Sequence, residues 1–301
     1  MCNTLKETLN AGRFAVTAEL GPPQSPDAEH VRELAAHLKG IVDGVNITDN
    51  PSATVRMSSF ATALIAAQEG LEPIWQMTCR DRNRIAMQSE ILGACALGIK
   101  NLLCLSGDHT TAGNQPGAKA VYDIDSMQLI STAVRMRDQH CFLDVDKPFK
   151  GDLDLFVGAA ANPFVEPLEF RPLRMMKKAK AGADFIQTQC IYDMDLFKKW
   201  LARVRDLGAD QSCHILAGVI PLKSVGMAKF MASKVAGVVI PEAVIKRISG
   251  VPKADAAKEG IKICCEQIQE LKEMKGISGI HLMAIGWEHR VEEILIQAGL
   301  R

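Results

Sequence analysis

Short apolar runs recur along the chain at residues 14–20, 41–48, 72–78, 101–105, 153–160, 184–190, 213–219 and 279–285. Their length and near-continuous hydrophobicity predict strands buried on both faces, as in a parallel sheet. Between them the apolar positions switch to a helical period at 27–38, 55–68, 82–97, 125–138, 167–180, 193–207, 223–234 and 288–297. Gly70, Gly98, Gly182, Gly208 and Gly299 stand just past five of these stretches, where a glycine commonly stops a helix. Eight strand–helix units predict an α/β fold, a single (β/α)8 TIM barrel over residues 1–301 with no linker dividing it. Two irregularities interrupt the alternation. Residues 235–275 read as extra helices before the eighth strand, at 241–248 and 254–275. Residues 107–123 are polar and Gly-rich and read as a loop over the active face.

Composition narrows the class. Lys+Arg and Asp+Glu are both 35, so nothing points to nucleic-acid binding. No apolar run reaches the length of a membrane span, and the first six residues lack the apolar core of a signal peptide. The nine cysteines are scattered without a CxxC pair, which suits a reducing, cytoplasmic setting. Cys264 and Cys265 fall on the apolar face of the 254–275 helix with Ile261, Ile268 and Leu271, a face for packing on the barrel or on another subunit. No GxGxxG follows the first strand, and no GxxxxGK[ST] or HExxH is present; no metal site is expected.

Candidate chemistry lies at the C-terminal ends of the strands, where a parallel barrel places its site. The first run ends at Glu19, and Gly21-Pro22-Pro23 stops the ladder at once. The second ends at Thr48-Asp49-Asn50-Pro51, which is also a good turn and helix entry. The third carries Gln76-Met77-Thr78-Cys79, the fourth ends at Ser106-Gly107-Asp108, the fifth at Ala161-Asn162-Pro163 and the sixth at Gln187-Thr188-Gln189. Each has an ordinary structural use. Together, two acids with amides and hydroxyls suit a polar, planar, neutral-to-anionic ligand. Arg174, Lys177, Lys178 and Lys180 follow on the helix after the fifth strand, either solvated or meeting a cofactor phosphate.

In this setting the chain resembles the methylenetetrahydrofolate reductase family, bacterial type, catalytic barrel only. The residues that carry the resemblance are Thr17-Ala18-Glu19-Leu20-Gly21-Pro22-Pro23, Gln76-Met77-Thr78-Cys79, Leu105-Ser106-Gly107-Asp108, 181–189 and Gly218-Val219-Ile220-Pro221, in the family's order. The resemblance implies flavin-dependent reduction of 5,10-methylenetetrahydrofolate to 5-methyltetrahydrofolate in one-carbon metabolism. It implies Glu19 as the acid that opens the folate ring, and Asp108 as a residue touching both pterin and flavin. Gln189 is implied as a pterin contact. Thr48, Gln76, Ser106, Gly107, Ala161, Asn162, Arg174, Lys177 and Lys178 fall where the family meets its flavin. FAD is the implied cofactor and NADH or NADPH the electron donor. Gln76, Ser106, Asn162 and Arg171 depart from the family's usual flavin-side residues, which leaves FMN open. The same departures leave room for electrons from an iron–sulfur or zinc partner subunit, and the 254–275 face leaves room for a homo-oligomer. Two other readings are a flavin-free pterin-binding methyltransferase barrel and a flavin- or folate-binding subunit active only with an electron-donating partner.

Overall fold

The computed structural model describes residues 4–301. Eight parallel strands close into a barrel in the order β1 to β8. They are β1 (Ala15–Leu20), β2 (Gly44–Ile47), β3 (Pro73–Thr78), β4 (Asn101–Leu105), β5 (Phe156–Ala161), β6 (Phe185–Cys190), β7 (His214–Val219) and β8 (Gly279–Leu282). The surrounding helices include α2 (Ala28–Ala36), α3 (Ser59–Gln68), α4 (Arg84–Ala96), α5 (Ser126–Gln139), α6 (Phe170–Lys180) and α7 (Met194–Asp206). After β7 come α8 (Val225–Lys234), α9 (Glu242–Ser249) and α10 (Ala256–Lys272), and α11 (Val291–Gln297) closes the ring. The two additional helices predicted before β8 are therefore α9 and α10. Ile261, Cys264, Cys265, Ile268 and Leu271 of α10 are all buried in the main core. Gly260 is what lets α10 approach: a Cβ there would lie 1.7 Å from the Leu222 carbonyl oxygen.

Alternation along the strands builds the barrel interior in layers. The lowest layer is apolar: Ala15, Ile74, Leu103, Phe156, Phe185 and Leu216. The Phe185 ring occupies the space beside Gly158, where a Cβ would meet its Cζ at 2.2 Å. A short helix that the periodicity did not reveal, α1 (Leu5–Asn10), inserts Leu5 and Leu9 into this layer and seals the floor. Thr4 and Glu7 form a capping box at its start. One level up the interior turns polar with Thr17, Asn46, Gln187 and His281, all buried. Above them lies the open mouth.

Most element boundaries agree with the pattern to within a few residues, and the exceptions have local causes. The third helix begins at Ser59 rather than 55 because other groups take the preceding amides. Val55 N donates to Asn114 Oδ1, Arg56 N to Asn50 Oδ1 and Met57 N to the Pro23 carbonyl. The second strand begins at Gly44 because Asp43 instead caps the neighbouring strand, its Oδ2 accepting from Val16 N. The eighth strand stops at Leu282, ahead of Ile285, which has φ +49. The last helix starts at Val291 after a 3-10 turn, Glu288–Arg290.

Candidate active site

Glu19 sits at the mouth end of β1, a quarter exposed, between two cavities. The first, about 360 Å3, opens over the barrel centre and is lined by Glu19, Asn46, Gln76, Gln187, Gln189 and His281, with Leu103, Leu105, Met175 and Met283 as its apolar walls. Ala161, Asn162, Arg171, Arg174 and Lys178 form its far end. The second, about 650 Å3, runs from Glu19 past Thr48, Ser52 and Arg56 to Glu288.

Burial pushes the Glu19 carboxyl up to about 7, and the neighbouring Glu288 charge adds to the rise. Glu288 is itself buried, with Oε1 accepting from Gly286 N at 3.0 Å. Facing Glu19 from β8 is His281, whose Nε2 lies 4.0 Å from Glu19 Oε2. Burial drives the imidazole down to about 3, so it is neutral. Beneath it the amides of Asn46 and Gln187 pair head to tail, at 2.6 and 2.9 Å, and Gln187 Nε2 also donates to Thr17 Oγ1 at 3.2 Å.

The sixth strand is irregular where it reaches the mouth. Its register against β7 shifts between Gln187 and Cys190. Thr188 Oγ1 accepts from Gly218 N, and Gln189 Oε1 accepts from Cys190 N at 3.0 Å. The Gln189 amide nitrogen has no hydrogen-bond partner among the described residues, and Gln189 lines the cavity. Such bulges re-aim side chains next to active sites. Gly218 permits this one, since a Cβ would stand 2.3 Å from the Thr188 carbonyl oxygen.

The far end is cationic. Lys178 is buried and donates to the Ala160 carbonyl at 2.5 Å; burial, aided by Arg174, lowers its ammonium to about 8. Arg171 is tied to the carbonyls of Val165 and Glu166. Arg174 has no carboxylate partner among the described residues. This end suits an anion, phosphate above all.

The expected site residues divide. Glu19, Gln76, Ala161, Asn162, Arg174, Lys178 and Gln189 converge on the first cavity. Thr48 lines the second, where its buried hydroxyl lacks a hydrogen-bond partner. Asp108 is exposed on the lip, its Oδ2 accepting from Ser52 N at 2.9 Å. Ser106 turns outward, its hydroxyl donating to Ser126 Oγ, and Gly107 makes the turn with φ +87. Lys177 is exposed over the Phe170 ring. Asp49, at another strand end, is structural: its carboxylate accepts from Thr78 N, Ser59 Oγ and Arg82. Thr17, Asn46, His281 and Glu288 were not among the expected site residues, and Gln187 was expected only as part of the polar end of the sixth strand. For Thr17, Asn46 and His281 the available signal was a polar residue inside an otherwise apolar run.

A sequence profile of methylenetetrahydrofolate reductase matches residues 4–299. The chain belongs to that family. Among its relatives, a probable methylenetetrahydrofolate reductase (NADPH) of Caenorhabditis elegans is 25% identical over 82% of this chain and 35% of its own length. A 5,10-methylenetetrahydrofolate reductase of Salmonella typhimurium is 22% identical over 73% of this chain and 69% of its own. The chain thus spans little more than a third of the length of the Caenorhabditis elegans relative and of two yeast members of the family that it matches. Among solved structures, a Clostridium thermocellum protein described as binding two copies of 5-methyl-5,6,7,8-tetrahydrofolic acid has the same fold. It superposes with a TM-score of 0.68 at 15% identity, covering 98% of both chains. No described helix is long and apolar enough to cross a membrane.

Proposed function

We propose that this chain reduces 5,10-methylenetetrahydrofolate to 5-methyltetrahydrofolate, with Glu19 as the acid that opens the folate ring. The observation that carries the reading is a carboxyl group at the barrel mouth whose burial keeps about half of it protonated near neutrality. An ordinary Glu, near 4.5, would be almost wholly ionised there. Ring opening breaks the bond between N10 and the bridging carbon, delivers one proton to N10 and leaves an iminium cation on N5. Glu19 holds that proton, and the carboxylate left behind is an anion beside the new cation. The cation becomes a methyl group by gaining a hydride, which is the chemistry a bound flavin supplies.

The residues present fit a flavin. The apolar walls with Gln76 and Asn162 suit a ring system with a polar edge, and Arg174 and Lys178 suit its phosphates. The orphaned Thr48 hydroxyl awaits a polar ligand at the mouth. Arg171, rather than an acid, stands at the cationic end, which favours phosphate over ribose there and keeps FMN beside FAD as the cofactor. The Gln189 amide nitrogen is available to the pterin; Asp108 lines neither cavity and would reach pterin or flavin only from the lip. NADH or NADPH is the proposed donor, and the relatives' names include both. That the Clostridium protein of this fold binds a methylated folate supports a folate as ligand here.

The test is Glu19→Gln, read by folate turnover and, separately, by the bleaching of bound flavin with NAD(P)H under anaerobic conditions. Turnover should fall by about 100-fold or more, with bleaching retained. Normal folate turnover in the variant would remove Glu19 from the mechanism. A colourless purified protein would instead support the flavin-free methyltransferase.

A further inference from the structure

His281 is the histidine nearest to Glu19, and its bonding is constrained from below. Thr17 Oγ1 lies 3.1 Å from His281 Nδ1, 3.2 Å from the Ile280 carbonyl and 3.2 Å from Gln187 Nε2. A hydroxyl has one proton and two lone pairs. In the orientation that pairs it head to tail with Asn46, Gln187 turns its Nε2 to this hydroxyl and donates to it. With the hydroxyl proton on the Ile280 carbonyl, the remaining lone pair accepts from His281 Nδ1–H, and every group in the set is satisfied. The ring's other nitrogen then carries a lone pair, and it is the one that faces Glu19.

We propose that His281 is a positioning residue: held as its Nδ1–H tautomer by Thr17, it turns the Nε2 lone pair to Glu19 and so favours and orients the protonated carboxyl. The opposite tautomer would aim an N–H at Glu19 and favour the carboxylate, which cannot donate to N10. A histidinium–carboxylate pair is disfavoured because both charges would leave water. The 4.0 Å separation is longer than a hydrogen bond, as catalytic pairs often are before substrate binds. The other charged or titratable groups facing Glu19 are Arg171, Arg174 and Lys178 across the first cavity. Around the second they are Glu288, His289, His30, His37 and Arg56. Of these, Glu288 reinforces the protonated state.

The inference rests on the role proposed for Glu19, and two measurements that need no turnover separate it from that role. In the unmodified full chain, the 15N shifts of His281 should report Nδ1–H with a bare Nε2 from pH 6 to 8; an Nε2–H would overturn the proposal. In the folate-free full chain, 13C carboxyl NMR should follow the titration of Glu19, assigned by its loss in Glu19→Gln. His281→Asn keeps a donor for Thr17 and offers nothing to Glu19, so the Glu19 midpoint should fall by about one pH unit. His281→Gln places an amide oxygen near the Nε2 position and should restore the midpoint. An unchanged midpoint in His281→Asn, or Gln behaving as Asn does, would overturn the proposal. In turnover, His281→Asn should match the parent near pH 5 and fall roughly tenfold below it at pH 8. A uniform loss across pH would mark a merely structural role. A chain with the expected NMR behaviour and no folate reduction would sink the proposed function and leave this inference standing.

Discussion

Glu19 holds a proton that ordinary solvation would remove at pH 7, and that has a thermodynamic cost as well as a chemical use. Its midpoint is about 7 when folded, against 4.5 for a free side chain. Below 4.5 both states are protonated and the buried neutral acid is fully tolerated. As pH rises through 7 the folded state must accommodate a charge, so stability is lost across that window. Glu19→Gln has no such charge to accommodate. Its stability relative to the parent should therefore grow between pH 5 and pH 8, by up to about 3 kcal/mol. Urea unfolding at the two pH values measures this. A gap that shrinks as pH rises would mean that the site stabilises the carboxylate instead.

Among the elements, the barrel strands and outer helices were readable because eight buried parallel strands leave uninterrupted apolar runs between helical periods. Glu19 was readable too, since Pro22 and Pro23 end its strand at the mouth. The mid-barrel layer was not. Gln187 read as a strand-end polar group and Asn46 was not singled out, because their pairing across the barrel, some 140 residues apart in sequence, cannot be inferred from spacing. Glu288 escaped notice because a turn after β8, and not a strand end, carries it to Glu19. Helix α1 was missed because six residues span fewer than two turns, too few to show a period. Its packing is nonetheless substantial, with Leu5 and Leu9 almost wholly buried. Leu9→Ala should cost about 2–5 kcal/mol, read as a lower urea midpoint with an unchanged slope. A loss under about 0.5 kcal/mol, the size of a surface substitution, would mean that α1 does not seat in the barrel in solution.

At the scale of the molecule, thiols report how closed the fold is. Cys2 lies outside the described residues; the other eight are free. Burial pushes Cys79, Cys190 and Cys213 up to about 12, and Cys95 and Cys265 to about 11. Cys104 and Cys264 are raised by the same cause. Thiolate is the reactive form, and it is scarce in all of these. In a Cys2→Ser protein at pH 8, a chromogenic disulfide reagent should label little within minutes, Cys95 first, and the remainder only on adding denaturant. Rapid labelling of several thiols without denaturant would show that the barrel opens readily.

The sealed floor bears on how Glu19 is reset. Among the described residues, the layer directly below His281, Thr17 and the amide pair is apolar, with Ala15, Ile74, Leu103, Phe156, Phe185 and Leu216 packed on Leu5 and Leu9, so the polar layer is closed to water from that side. An acid that has given up its proton there is replenished from the mouth side, where both cavities reach Glu19. Recharging therefore comes from the end of the barrel at which the folate would bind, never through the floor.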